Sequence, residues 1–499
     1  MGKGGSTQGI RPRQTRRHEE HSLGSRCINQ VTFSTDLFEF QIAMRASGGC
    51  IEQPWKGALK MAKPSAASFR PLRWLPAGKL LSAAVLDQAV LSAVNLLVGV
   101  LLLRNADQDQ YALFVLAQAG VLLATAVYQS LIGRPMSIQS QDLPEGPERQ
   151  AYTQTMFGAQ ALITLPLTLL AAIGMWLCAG MSHEHAPGFE LASVIAAIAA
   201  ALTVAREHLR QSLMLLRKPQ LALKFDLLYA VMFAGIVFAA VDQPYAAAWA
   251  LTGMAAGSLM ALILARKYLI KRTRMRWKLI YQAFAKSWPL GRWSLAGGLL
   301  AWSYLNGFYY VVSLIATLNT VAILGAARLL VMPINLLITG MNQQMLPMTR
   351  NWLNLHGIRG AEKRLAIASL GVCGLALTYL GLLWLLRSPI IVGLLGQSLT
   401  ELEPIVLLWG ATYVAFTVRS TWMLLLQALG KFDSLTRLVA IAAPISLVSV
   451  FVLVPKYGAA GAVTAVLIAE LIELTGIGWL LLKYRRLSVE DQPSTHANQ

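Results

Sequence analysis

The chain has 499 residues, of which 56% are hydrophobic and only 13% charged, and no soluble protein of that length needs so apolar a composition to fill its core. Lys and Arg number 43 against 24 Asp and Glu, a formal net charge of +19, which on a soluble face would suggest nucleic acid. Here the basic residues sit in alternate short loops between apolar runs, which is a pattern of membrane orientation, so no nucleic-acid partner is expected.

Residues 1–79 read as a basic cytoplasmic tail of low order, and residues 1 to about 60 lack the apolar core of a signal peptide. The stretch "MAKPSAASFRPLRWLPAGKLL" from Met61 already looks like a membrane-protein start, so the residues before it read as an over-extended beginning or a dispensable tail. A helix needs about 20 apolar residues to cross a bilayer, and such runs recur at 80–103, 109–133, 153–179, 189–214, 221–241, 244–265, 288–316, 319–346, 364–386, 402–428, 434–455 and 458–483. The expected fold is therefore all-α and polytopic, with twelve membrane helices. A basic run, "RKYLIKRTRMRWK", within a cytoplasmic linker at 266–287 divides them into an N-terminal six-helix lobe, 80–265, and a C-terminal one, 288–484; residues 485–499 form a cytoplasmic tail.

Loop charge orients the helices. The connections after predicted helices 2, 4, 6, 8 and 10 are rich in Lys and Arg, whereas "MSHEHAPGFE", "VDQPY" and "TLNT" have none and the other three carry one each, at Arg104, Arg387 and Lys456. By the positive-inside rule both termini are cytoplasmic. Cys27, Cys50, Cys178 and Cys373 lack metal-like spacing and read as free thiols. His183, Glu184 and His185 lack a third ligand, so no metal is expected, and no Walker loop occurs, so the chain is not its own ATPase. The connections leave no room for a soluble catalytic domain, and neither an enzyme nor a cofactor is expected.

The halves echo each other. Thr203, Val204 and Arg206 match Thr417, Val418 and Arg419; Asn95 matches Asn306, and Pro135 matches Pro347, all at offsets of about 212 residues. An internal repeat of six helices gives two copies of one topology, hence two pseudo-symmetric lobes around a central cavity, in which a substrate path runs between them.

Polar residues inside the apolar runs mark that path. Arg328, Asn335 and Asn342 recur every seven residues on predicted helix 8, with Thr339 close by, and form one polar stripe that cannot face lipid. An Arg near the bilayer centre costs a few kcal/mol on insertion scales, so it should meet a partner or a wet cavity. Pro333 should kink that helix where cavity water satisfies the freed carbonyl. Arg206 and Arg210 on helix 4, Arg292 on helix 7 and Arg419 on helix 10 are further cations, and Asn95 on helix 1 is a further polar group. Arg328 and Arg419 have no acid within two turns on their own helix and are expected to be unpaired. Together these residues would line a cationic cavity suited to phosphate, whose oxygens match a guanidinium fork. The bland alternative pairs Arg206 or Arg210 with Asp226, and sends Arg210 and Arg292 to the headgroups. Asp87, Glu207 and Asp226 are candidates for ion coupling. Tyr309 and Tyr310 in "AWSYLNGFYY" read as an outer interfacial belt.

From the first helix to the last the chain resembles the polysaccharide translocases (Wzx-type flippases) of the multidrug/oligosaccharidyl-lipid/polysaccharide exporter superfamily. The resemblance rests on "LDQAVLSAVNLLVGVLLLR", "GAARLLVMPINLLITGMNQQMLP" and "PKYGAAGAVTAVLIAE", loose patterns that specify the superfamily better than the substrate. It implies two rocking lobes that move an undecaprenyl-diphosphate-linked oligosaccharide across the bacterial inner membrane for exopolysaccharide, capsule or O-antigen assembly, in partnership with a polysaccharide polymerase and a chain-length regulator. The alternative is a multidrug exporter of the same superfamily, whose cationic drugs would want an acidic lumen. Flippases of lipid-linked peptidoglycan precursors usually have two further helices, for which this chain has no room. A membrane-bound glycosyltransferase or polymerase would need a long outer loop, and the longest here, about 387–402, is short and mostly apolar.

Overall fold

The computed structural model describes residues 74–140, 143, 144, 146–180, 187–269 and 277–490, and every regular element among them is helical. The helices are α1 (Trp74–Asn105), α2 (Gln108–Tyr128, continued by a π turn at Gln129–Gly133 and by Arg134–Gln139), α3 (Pro147–Gly180), α4 (Phe189–Leu215), α5 (Pro219–Ala240) and α6 (Ala246–Leu269). Then come α7 (Trp277–Trp302, a π turn at Ser303–Gly307, and Phe308–Ile315), α8 and α9 within Leu318–Leu385, α10 (Leu399–Ala428), and α11 and α12 within Phe432–Glu490. The last four separate at glycines: Gly357 has φ 64° and Gly458 has φ 56°, left-handed values that cost a residue with a Cβ, so α8 is 318–356, α9 358–385, α11 432–457 and α12 459–490.

Local signals explain the helix starts. Ser398 accepts the Glu401 N–H and Thr317 accepts the Thr320 N–H, which satisfies donors that the first turn leaves free. Pro219 opens α5 where no N–H is needed. Some boundaries differ from the sequence reading. Helix α8 continues past Leu346 to the single-residue break at Gly357, and α7 begins at Trp277, eleven residues before its predicted start at 288. Amphipathic stretches at the membrane surface are helical without being apolar throughout, so a hydropathy reading ends too soon. Pro333 does not interrupt α8; within Leu318–Leu385 the non-helical residue is Gly357.

The polarity is that of a membrane protein turned toward lipid. Large apolar side chains such as Phe238, Val231, Leu370, Leu385 and Val448 are exposed, while Asp87, Arg206, Asp226, Arg419, Glu470 and Glu473 are buried. Ten described segments are long and apolar enough to cross a membrane. That count takes Phe432–Arg485 as one segment and leaves out Pro147–Gly180. Among the described residues the protein is all-helical, and it is a polytopic membrane protein.

Small residues let the helices approach. On α6, Gly253 and Gly257 lie one turn apart against α5; a Cβ at Gly257 would stand 2.9 Å from the Tyr229 carbonyl oxygen, and one at Gly253 3.1 Å from that of Phe233. In lipid, where hydrophobic exclusion does not drive helices together, this close packing carries much of the association. Gly257→Val is expected to destabilise the protein by about 1–3 kcal/mol, read as a lower thermal midpoint in detergent; an unchanged midpoint would show that the α5–α6 seam tolerates separation.

Candidate functional site

Helices α1, α2, α7 and α8 meet around a cavity of about 70 Å³. Helical periodicity places its walls: Asn95 and Gly99 one turn apart on α1, Gly325, Arg328, Leu329 and Met332 along one face of α8, and Tyr111, Phe114, Val115 and Gln118 along one face of α2. Glycine brings the backbones in. A Cβ at Gly99 would lie 2.8 Å from both δ carbons of Leu329, and one at Gly325 2.7 Å from a Val115 methyl. Asn95 and Asn306, paired by the sequence offset, line this one cavity from the two halves of the chain.

Arg328 is its charged group. Its Nη1 donates to the Leu305 carbonyl at 3.0 Å and to Asn306 Oδ1 at 3.1 Å. Both acceptors lie in the π turn of α7, where the widened turn disturbs the regular backbone ladder and leaves a carbonyl available to a side chain. The guanidinium carbon stands 5.8 Å from the Tyr309 ring centre and 5.4 Å from that of Trp409, within cation–π range. Nε is buried without a hydrogen-bond partner, and Arg328 forms no ion pair among the described residues. The predicted stripe continues to Asn335 and Asn342, both half-buried and outside this cavity.

The other predicted cations are placed differently. Arg206 hydrogen-bonds to Asp226 and lies 3.8 Å over the Tyr229 ring. Arg210 binds Asp87 at 2.8 Å and Glu207 at 3.0 Å, and lies 3.6 Å from Asp226. The ion-coupling candidates Asp87, Glu207 and Asp226 are thus gathered around two guanidiniums, three carboxylates to two cations, with Asp87 Oδ1 and Asp226 Oδ2 buried and lacking hydrogen-bond partners. The expectation that Arg419 lacks a partner is corrected. Its Nε donates to Glu470 at 2.6 Å and its Nη1 to Glu473 at 2.8 Å, and the Tyr304 hydroxyl donates to Glu473 at 2.7 Å. The two acids are stacked three residues apart on α12 and reach across to α10, which a search along Arg419's own helix could not find. Arg292 is exposed midway along the Trp277–Trp302 segment of α7 and does not line the cavity.

The aromatic run is corrected as well. Tyr309 is buried and stacked on Phe308 at 4.2 Å, and the Tyr310 hydroxyl and Trp302 Nε1 donate to the Leu116 and Ala119 carbonyls of α2. These rings belong to the seam between α7 and its neighbours, not to a lipid-facing belt. The "SHEH" run lies outside the described residues. Trp409, which faces Arg328 from α10, carried no signal in the sequence beyond being aromatic.

No family profile and no curated protein sequence matches the chain. Its fold is similar to that of solved membrane transporters, among them transporters of the MOP superfamily. The lipid II flippase MurJ, in an inward closed conformation, is similar with a TM-score of 0.64 and 14% identity over 81% of this chain and 87% of that one. An inward-facing multidrug-resistance transporter of the MATE family gives 0.57 at 14% identity over 81% and 96%. A transporter of the superfamily from Pyrococcus furiosus, described as having a binding pocket of reversed polarity, gives 0.52 at 13% over 83% and 96%. At these identities the likeness is one of fold, and it covers lipid flippases and drug exporters alike.

Paired and unpaired arginines should respond differently to truncation. Arg419→Ala strands two buried carboxylates and is expected to destabilise the protein by about 3–5 kcal/mol, seen as lost detergent-soluble yield and a lower thermal midpoint. Arg419→Met combined with Glu470→Gln and Glu473→Gln should recover most of that loss; if the single variant is as stable as the wild type, the cluster is not a buried ion network.

Proposed function

We propose that this protein is a transporter that flips an undecaprenyl-diphosphate-linked oligosaccharide from the cytoplasmic to the periplasmic leaflet of the bacterial inner membrane, for exopolysaccharide, capsule or O-antigen assembly. The observation that carries the reading is Arg328, a cation with no carboxylate partner among the described residues, set on a cavity lined by Asn95 and Asn306 from both halves. A diphosphate supplies the charge that Arg328 lacks, and the two amides suit sugar hydroxyls.

The cavity is far below the roughly 300 Å³ at which ligand pockets begin, so transport requires the two six-helix lobes to part by rocking about the seam of α1, α2, α7 and α8. Carrying negative charge outward across an inside-negative membrane is downhill by about 2.3 kcal/mol per charge per 100 mV. The three-acid cluster of Asp87, Glu207 and Asp226 is the place for a coupled cation or proton. Arg206, Arg210 and Arg419 hold their own lobes together, and Asn335 extends the polar path along α8. Both termini lie in the cytoplasm, and a polymerase and chain-length regulator act on the exported unit. A multidrug exporter of cationic compounds fits less well, because Arg328 would repel its cargo.

The test is transport in proteoliposomes of a fluorescent diphosphate-linked lipid oligosaccharide, with a cationic dye run in parallel. Wild-type protein should move the lipid and not the dye. Arg328→Ala should lower the lipid rate about 10–100-fold, the loss of one or two charge-assisted hydrogen bonds, while keeping its thermal midpoint; Arg328→Lys should retain an intermediate rate. Normal transport by Arg328→Ala would remove the basis of the reading.

A further inference from the structure

A second cavity, of about 210 Å³, opens between the start of α3 and the α4–α5 turn, lined by Gly146, Pro147, Arg149, Gln150, Leu215, Leu216, Arg217 and Lys218. Three cations face it and no acid among the described residues lines it; Glu148, next in sequence, is exposed outside the lining. Arg149 and Lys218 form no ion pair among the described residues. Arg149 is half-buried; its Nη2 donates to the Leu143 carbonyl at 2.7 Å and its Nη1 to that of Leu215 at 3.4 Å, and its Nε is buried without a partner. A guanidinium held by neutral carbonyls keeps its full charge. Arg217 has φ 55°, a left-handed value for a residue with a side chain, in the turn that carries both exposed cations.

Depth identifies the kind of anion. Lys218 and Lys267 both stand 5.2 Å from the ring centre of Tyr268, at the end of α6. Tyrosine flanked by lysines belongs at the level of lipid headgroups. Leu215 and Leu216 give the cavity an apolar floor next to that level. We infer that this cavity binds a phosphate group, that of an anionic phospholipid headgroup, with Arg149 and Lys218 as its principal contacts. Basic pockets between membrane helices recognise such headgroups by charge-assisted hydrogen bonds. The inference is independent of the transported substrate.

The experiment is thermal unfolding of the full-length protein in detergent, titrated separately with phosphatidylglycerol, phosphatidylcholine and inorganic phosphate. Phosphatidylglycerol should raise the wild-type midpoint and the other two should not. Arg149→Gln with Lys218→Gln should weaken the apparent affinity for phosphatidylglycerol about tenfold or more. Lys267→Gln, which removes a charge from the same surface but not from the cavity, should bind as the wild type does, and it controls for non-specific attraction. An equal response to phosphatidylglycerol in the wild type and the double variant overturns the site, as does an equal loss in Lys267→Gln. A response to inorganic phosphate as large as that to phosphatidylglycerol overturns the lipid as its source. If the double variant does not fold, Arg149→Lys, which keeps the charge and loses the fork, replaces it, and an unchanged affinity of Arg149→Lys together with Lys218→Gln counts against the assignment.

Discussion

Charge in the interior of a bilayer must be neutralised or wetted, and this requirement sorts the molecule's arginines into two kinds. Arg206, Arg210 and Arg419 are met by carboxylates from other helices, Asp226, Asp87, Glu470 and Glu473 among them. Each such contact ties two or three helices of one half into a unit that does not come apart cheaply. Arg328 is met by neutral groups, among them a carbonyl, an amide and two aromatic rings. Those interactions hold the guanidinium in place while leaving its charge uncompensated, and the residue sits where the halves touch.

The same division separates the contacts inside each half of the chain from those between the halves. Ion networks fix α1, α4 and α5 to one another, and α7, α10 and α12 to one another. Between the halves the contacts are of another sort: glycines against leucine and valine side chains, hydroxyl, indole and amide donors to helix carbonyls, and single hydrogen bonds from the exposed Arg104 and Arg134 to the Gly393 carbonyl and the Ser294 hydroxyl. Dispersion and neutral hydrogen bonds are short-ranged and weak individually, and they can be exchanged for water or lipid one at a time.

Much of this was legible in the sequence, and what was not has a common cause. Apolar runs located the helices because lipid tolerates nothing else, and the break between α11 and α12 fell at Gly458, where a glycine is required. The three acids singled out for ion coupling came together, and Asn95 and Asn306, linked only by an offset, came to line one cavity. Arg419 was misread because its partners lie 51 and 54 residues away on another helix, a distance over which no periodicity operates. Tyr309 and Tyr310 were misread because an interfacial ring and an interhelical ring have the same sequence signature, and only the packing of α7 on α2 distinguishes them. The π turns left no signal, since they alter the hydrogen-bond ladder without altering composition.

The hydrogen bonds that Trp302 and Tyr310 make to α2 use the Ala119 and Leu116 oxygens as acceptors. Those oxygens lie within a continuous helix, whose own amides also bind them. Were α7 to separate from α2, neither carbonyl would be orphaned; only an indole N–H and a phenol O–H would need new company, and both are groups that water or a glycerol backbone readily satisfies. The fastening is therefore one-sided: its release would leave the gripped helix's own hydrogen bonds intact.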